Sequence, residues 1–400
     1  MNNLKRKDSK GRILQKGESV RSDGRYVYRY TDIDGKRKAV YHQTLNGLRL
    51  LEKQIRKDIN DGIGYKDSEI TFNDYFQKYM KLKSNLAAST QRSYMNSWKL
   101  YIQNSRFGSM KLKDITKSDV ILLLRYIEEK GLKKSSIDVI IAGILSPCFN
   151  LAVDDNIIRN NPCKGCRKAL SGEDSKPREA LTIDQQHRFL IYAQNSKYAM
   201  WYPMFVFMIE TAVRIGELCG LTWNDVDLKN GFVHIDHQLQ FNKGDDGVYD
   251  CQIYPPKSKS GIRNIPLSQR AKEALLEQKK MQFESNRRTI REVDGYKDFV
   301  FSNRTGGILS SKNIGSLMTR LVNDYNFDAQ KMGLDVGLPH ITPHTLRHTG
   351  CSRMAEAGID PRTLQSILGH STIKMTMEIY NHVTDDRLTN EIKKMNIQVV

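Results

Sequence analysis

Polar and apolar residues alternate along the first part of the chain, and then the period changes. Arg25 to Thr31 reads R-Y-V-Y-R-Y-T. In a strand, Tyr26, Tyr28 and Tyr30 share one face, and Arg25, Val27 and Arg29 share the other. Arg37 to His42 reads as a neighbouring strand and Ile13 to Arg21 as the first, with turns at Ser22-Asp23-Gly24 and Asp34-Gly35-Lys36. From Leu45 the spacing becomes helical, through Leu48, Leu51, Ile55 and Ile59. The pattern predicts three antiparallel strands covered by one helix, which packs on the tyrosine face. Arginines occupy the other face, with Lys36, Arg37 and Lys38 at the hairpin.

Asp61-Gly62-Ile63-Gly64 reads as a linker, and residues 69–160 read as helices. Phe72, Tyr75, Phe76 and Tyr79 form one stripe. Tyr94, Trp98 and Tyr101 form a second, on a helix that Ser89 or Thr90 can cap. Thr116 precedes a third helix with Val120, Leu123, Leu124 and Ile127, and Lys134 to Asp154 is a fourth. Residues 161–180 are polar, with Gly165, Gly172 and Pro177, and read as a second linker.

A larger domain begins near Leu181. Thr182 caps its first helix, an apolar segment follows from Trp201 to Ile209, and strands are expected at Val226–Leu239, Tyr249–Tyr254 and Ile262–Leu267. The turn Pro255-Pro256-Lys257-Ser258-Lys259-Ser260-Gly261 would then form the basic tip of one small sheet. Helices return, one capped at Ser310-Ser311, and the tail carries Leu388, Ile392 and Met395 at helical spacing. The expected class is multidomain, mainly α with small antiparallel sheets. Its parts are a sheet-plus-helix unit at 1–66, a helical domain at 67–165, a linker at 166–177 and a third domain at 178–400.

Charge narrows the function. The 400 residues carry a net charge of +18, which suits a polyanion, and nucleic acid is the most economical one. Residues 1–66 hold 17 Lys and Arg against 8 Asp and Glu, so half of the excess sits in a sixth of the chain. Arg25, Arg29, Lys36, Arg37 and Lys38 are therefore candidate DNA contacts, because a sheet can enter a major groove while basic tips hold phosphates. In the helical domain, Lys81, Lys83, Arg92, Lys99, Lys133 and Lys134 are weaker candidates for backbone phosphate. No run reads as a membrane span, and the polar, basic start from Met1 to Lys10 has no apolar leader segment, so a cytosolic, DNA-associated location is expected. Cys163 and Cys166 make a lone C-x-x-C among six cysteines, which is too few grouped ligands for a structural zinc.

The chemistry concentrates between Pro343 and His382. P-H-T-L-R-H-T places His344 and Arg347 on one helical face, L-G-H-S brings His370 after a glycine stop, and I-Y-N-H carries Tyr380. Tyr380 is the sole tyrosine beyond Pro343. Upstream, T-A-V-R-I-G-E-L sets Arg214 among apolar residues with Glu217 three residues on, placed to orient it. A phenol with cationic donors suits phosphoryl transfer, in which the phenol attacks and the cations stabilise charge on the non-bridging oxygens. A lysine on the 255–261 turn is placed to protonate a leaving oxygen.

These boxes, in this order, resemble the tyrosine recombinase (phage integrase) family over roughly 178–385. Residues 67–165 look like that family's core-site-binding domain, and 1–66 like the arm-binding domain of integrases from conjugative transposons. The resemblance implies a mixed α/β catalytic domain in which Tyr380 is the nucleophile. Arg214, Arg347 and His370 hold the phosphoryl oxygens, His344 assists proton transfer, and Lys257, or alternatively Lys259, acts as the acid. It implies double-stranded DNA as substrate at core and arm sites, a tetramer that exchanges strands through a Holliday junction, and a tail donated to a neighbour. An excisionase and a host DNA-bending protein are implied partners, with no metal and no cofactor. The expected function is integration and excision of a mobile element through a 3′-phosphotyrosine intermediate. The alternatives are a recombinase for resolution or inversion, a type IB topoisomerase, and a non-catalytic DNA-binding regulator on the same scaffold. Ala212 stands where the family often has glycine, a departure expected to matter little because alanine is small.

Overall fold

The structure is a computed structural model that describes residues 6–32, 35–60, 69–170, 179–243, 249–285, 291–334 and 336–380. The tail beyond Tyr380, the first expected linker and residues 171–178 of the second lie outside the described residues. The chain divides into two compact units, Met1–Lys176 and Pro177–Val400.

The first unit opens with the antiparallel sheet β1 (Glu18–Val20), β2 (Tyr26–Thr31) and β3 (Arg37–His42), in that order, followed by α1 (Leu45–Asn60). Tyr26 and Tyr28 pack with Leu45, Leu48 and Ile55, as the alternation predicts. The first strand is shorter than the apolar pattern suggests, and Leu51 is turned outward. Register decides which basic residues share the open face. Arg29 pairs with Ala39, and Arg37 with Thr31, whereas Lys38 pairs with Tyr30 on the helix-covered side. Lys38 reaches Asp32 there at 3.2 Å.

The helices of this unit are α2 (Phe72–Leu82), α3 (Ala88–Tyr101), the single turn α4 (Arg106–Ser109), α5 (Lys117–Glu129), α6 (Lys134–Ile140) and α7 (Ser146–Asp154). Thr116 closes a capping box with Asp119 at the start of α5. Neither Ser89 nor Thr90 caps α3, which begins after Ala87 without a side-chain cap. The segment Lys134–Asp154 runs on through a π-turn at Ile141–Leu145 and is long and apolar enough to cross a membrane by length and composition, which the sequence reading overlooks. Ile137, Ile140, Ile144, Leu145, Cys148, Phe149 and Ala152 bury one side of it in the helical core. Cys163, Cys166 and Leu170 lie in the same core, so packing continues beyond the point where composition places a linker. Burial pushes the Cys163 thiol far up and keeps it a thiol.

The second unit is built around α9 (Tyr202–Thr211), which is buried from Pro203 to Ile209. It follows α8 (Ile183–Gln194), which a Thr182–Gln185 capping box starts. Next come α10 (Ile215–Gly220), β4 (Val226–Asp227), β5 (Phe232–Ile235), β6 (Gln238–Lys243), β7 (Tyr249–Tyr254), β8 (Arg263–Pro266), α11 (Gln269–Glu284) and α12 (Ser311–Lys331), with Ser310 as its cap. The site-bearing helices close the described chain: α13 (Pro343–Glu356), α14 (Pro361–Leu368) and α15 (Ile373–Tyr380). Each of α13 and α14 starts with proline in its first turn behind a side-chain cap, Thr342 and Asp360. Gly350 lets α13 press on α9, since a Cβ there would lie 2.1 Å from the Ile209 carbonyl oxygen.

The expected single sheet is two sheets. β8 pairs with β5 in a β4-β5-β8 sheet, and β7 pairs with β6 in a separate ribbon. The run Val226–Leu239 is broken twice. Asp227 binds Asn230 in a turn that ends at left-handed Gly231. Farther on, buried His237 is drawn to the Gly220 carbonyl at 2.7 Å, which takes the chain out of the line of β5. The lysine turn therefore links two sheets and is not a hairpin tip.

Candidate active site

Four local solutions bring the candidate residues together. The helix α9 ends at Ala212 in a left-handed conformation (φ 48°), and Arg214 then becomes the N-cap residue of α10. The strain of a non-glycine residue at positive φ explains why glycine suits this position, so Ala212 is a more consequential departure than its size suggests. The helix α13 begins at Pro343 and carries His344 and Arg347 one turn apart. The helix α14 stops at left-handed Gly369, where a Cβ would meet the Ser260 carbonyl oxygen at 2.9 Å, and this delivers His370. The β7–β8 connection supplies Lys257.

Arg214, Lys257, His344, Arg347 and His370 line one cavity of about 620 Å³, together with Gly216, Gln238 and Ser371. Lys257 is among the lining residues and Lys259 is not. Arg347 is buried; it donates from Nη1 to the Ala212 carbonyl, and from Nη2 to the Leu368 carbonyl (3.0 Å) and towards His370 Nε2 (3.2 Å). Burial, opposed in part by Cys351 and reinforced by Arg214, lowers its pKa to about 10, so it stays charged at neutral pH. Burial first, and then Arg347, Arg214 and Arg263, hold the His370 imidazole down at about 4. In this geometry His370 is neutral.

Beneath the cavity sits a residue that the sequence reading missed. Arg263 is buried; its Nη2 meets Glu217 Oε2 at 2.8 Å and its Nη1 meets Oε1 at 3.1 Å. Glu217 also accepts from the Arg214 backbone amide (2.9 Å) and from Arg214 Nη1 (2.8 Å). Arg214 Nη2 then reaches the Gly369 carbonyl at 2.8 Å, and Arg263 Nε reaches the Ile367 carbonyl at 2.6 Å. Burial alone would raise the Glu217 pKa, but its bonds to Arg263 and Arg214 bring it below the ordinary value, so a buried carboxylate joins two arginines. A signal for Arg263 was present: strand alternation sets it on the inward face with Ile265. Glu217 orients Arg214, as its spacing suggested.

Tyr380 is placed elsewhere. It ends α15, does not line the cavity, and donates its hydroxyl hydrogen to the Ile359 carbonyl between α13 and α14. The expectation that short helices gather Tyr380 with the histidines holds for the helices and fails for the hydroxyl.

Among the described residues, one group has the makings of a metal site: Asp225, Asp236 and His237. His237 Nε2 faces the Gly220 carbonyl at 2.7 Å and Nδ1 faces Asp236 at 2.5 Å. A carbonyl only accepts, so Nε2 keeps its proton and offers a metal no lone pair.

On the open face of the N-terminal sheet, Arg29 and Arg37 are exposed. Exposed Tyr41 lies between them and the turn, with Arg21 and Arg25 stacked over its ring at 5.2 and 5.8 Å. Arg25 also meets Asp23 at 2.8 Å. Tyr41 is a further missed candidate, signalled by its position opposite Val27 on the arginine face.

A cavity lined by two arginines, two histidines and a lysine, on a helical unit with small antiparallel sheets, is the arrangement that the resemblance to tyrosine recombinases implies. Comparison with known proteins agrees. Residues 179–387 match the phage integrase family, and residues 2–60 match the DNA binding domain of Tn916 integrase. Transposases from transposon Tn1545 of Streptococcus pneumoniae and transposon Tn916 of Enterococcus faecalis are each 34% identical over 411 residues, covering 98% of this chain and 97% of theirs. The structure of the Tn1549 transposon integrase in complex with transposon right end DNA is 32% identical, with a TM-score of 0.72 over 82% of this chain and 100% of that one. A lambda integrase tetramer bound to a Holliday junction shares the fold at 21% identity and a TM-score of 0.52. The chain belongs to the phage integrase family of tyrosine recombinases. It is a DNA-binding site-specific recombinase of the transposon-integrase kind.

Proposed function

We propose that the chain integrates and excises a mobile element by cutting DNA through Tyr380. The observation that carries this reading is the convergence of Arg214, Lys257, His344, Arg347 and His370 on one cavity. Two anchored arginines with a lysine beside them suit a phosphodiester and its trigonal-bipyramidal transition state. Tyr380 leaves the Ile359 carbonyl, its oxygen attacks phosphorus, and the bond to the 5′ oxygen breaks. His344 assists removal of the phenolic proton, and Lys257 gives a proton to the departing 5′ oxygen. The product is a 3′-phosphotyrosyl link and a free 5′-hydroxyl. The covalent link conserves the bond energy, so the reverse attack by a second 5′-hydroxyl reseals the strand. Four protomers exchange strands in pairs, each tail serving a neighbour, and an excisionase and a host bending protein set direction. The face bearing Arg29, Arg37 and Tyr41 binds arm sites, while Lys38, held by Asp32, does not. Lys36 stays exposed at the hairpin and contributes phosphate contact.

The test is covalent trapping. Wild type and Tyr380→Phe are incubated with nicked suicide DNA carrying the element ends and run on denaturing gels. An adduct with wild type that is lost with phenylalanine supports the reading. DNA that binds wild type without forming an adduct refutes it.

A further inference from the structure

The six residues after His370 lead back to it. His370 Nδ1 lies 3.1 Å from the hydroxyl of Thr376. Thr376 is fully buried and sits on α15, one helical turn before Tyr380. On the other side of the ring, Nε2 faces Arg347 Nη2 at 3.2 Å. A guanidinium has donors only, so Nε2 presents its lone pair. A neutral ring then carries its proton on Nδ1, and the Thr376 oxygen accepts it. Valine has about the same helix propensity as threonine and nearly the same shape, and what separates the two in a buried site is the hydroxyl. The hydroxyl is what the position uses.

We propose that Thr376 is a positioning residue for strand cleavage: its hydroxyl holds the Nδ1 proton of His370 and ties the phosphate-binding histidine to the helix that carries the nucleophile. The proposal rests on the roles given above to His370 and Tyr380. Charged groups face the ring from three elements: Arg347 on α13, Arg214 at the start of α10 and Arg263 on β8, with Glu217 offsetting them in part. Together they oppose a second proton while the cavity holds no anion. A phosphate diester entering the cavity supplies negative charge and takes over the Arg347 donors. His370 then accepts a solvent proton at Nε2 and donates it to a phosphoryl oxygen, while Nδ1–H stays on Thr376. The ring turns neither before nor after, because Thr376 fixes its far edge. As Thr376 rides on α15, a correctly seated histidine also requires a correctly seated nucleophile helix.

The experiment compares Thr376→Val, which keeps the shape, and Thr376→Ser, which keeps the hydroxyl, in the full chain. Single-turnover adduct formation on the suicide DNA is measured across the histidine pH range, beside equilibrium binding to the same DNA. Valine is expected to slow cleavage about 10–100-fold, by analogy with the loss of the partner that orients a metal-ligating histidine, with affinity unchanged. Serine is expected to restore the rate and the pH profile. Nitrogen-15 NMR of histidine-labelled protein, with His370→Gln for assignment, is expected to show the Nδ1–H tautomer at His370 in wild type and serine, and a shifted population in valine. Wild-type cleavage by the valine variant, serine as slow as valine, or an Nε2–H tautomer in the wild type would each overturn the proposal. Tyr380→Phe and His370→Gln run alongside: if they cleave like wild type, the reading of the site itself has failed, whatever Thr376 does.

Discussion

The buried Arg263–Glu217 pair gives a prediction that separates stability from catalysis. Both side chains are within a few per cent of full burial, and four hydrogen bonds from two arginines end on the one carboxylate. Arg263→Met leaves Glu217 buried with only Arg214, itself about one-third exposed. Removing one partner of such a pair costs about 3–5 kcal/mol. At about 2–4 °C per kcal/mol for a unit of this size, the melting temperature should fall by roughly 6–20 °C. The double change Arg263→Met with Glu217→Leu removes both charges and should recover most of that loss, because a buried pair replaced by apolar residues is often neutral or better. Recombination should not recover, since Arg214 has then lost both of its bonds to Glu217 and keeps only Nη2 on the Gly369 carbonyl. Thermal unfolding followed by tryptophan fluorescence reads this well, as Trp201 and Trp223 lie in the catalytic unit and Trp98 in the other. Glu217 also gives the effect a pH signature. Its native pKa lies below the ordinary 4.5, so its contribution is complete above that value and is lost as the pH falls through the native one. The double variant should lack that part of the acid sensitivity. A single variant costing less than about 1 kcal/mol, or a double variant as unstable as the single, would refute the account of the pair as an isolated buried charge couple.

Three further outcomes follow from the geometry. Lys257→Ala should slow cleavage of ordinary DNA by about 10²–10⁴-fold, a general-acid effect, and Lys259→Ala should leave the rate near wild type; a 5′-thio leaving group, which needs no acid, should rescue Lys257→Ala alone. Replacing Arg29 and Arg37 together by alanine should lower the slope of log affinity against log salt for arm-site DNA by roughly 2, about one per phosphate contact, and Lys38→Ala should leave it unchanged. His370 has a native pKa of about 4 against an ordinary 6.5, so the unfolded chain takes up its proton first; its contribution is complete above 6.5 and is lost as the pH falls toward 4, and His370→Gln should flatten unfolding free energy in that window.

Much of this architecture was legible because it rests on short-range rules. Alternation at Tyr26, Tyr28 and Tyr30 set the buried face of the first sheet, Thr116 and Thr182 marked helix starts, and the histidine and arginine boxes fell on the helices their spacing required. The failures came where a long-range bond outweighs a local pattern. A run of β-forming residues reads as one strand, yet His237 bonded to the Gly220 carbonyl divides it into two sheets. Lys38 reads as part of a basic tip, but register puts it over Tyr30 and Asp32 on the covered side.

Tyr380 is the most instructive of these failures, because chemistry singled the residue out while its position followed from a different demand. Bonded to the Ile359 carbonyl, and packed with Leu364, Leu368 and Ile379, it completes the small core that seats α14 and α15. The same tyrosine thus has two uses in different places, a structural one and the chemical one proposed above. Sequence suggests the second because Tyr380 follows the candidate cations in order along the chain. It conceals the first because any carbonyl in reach could accept that bond, and only the fold determines that Ile359 does.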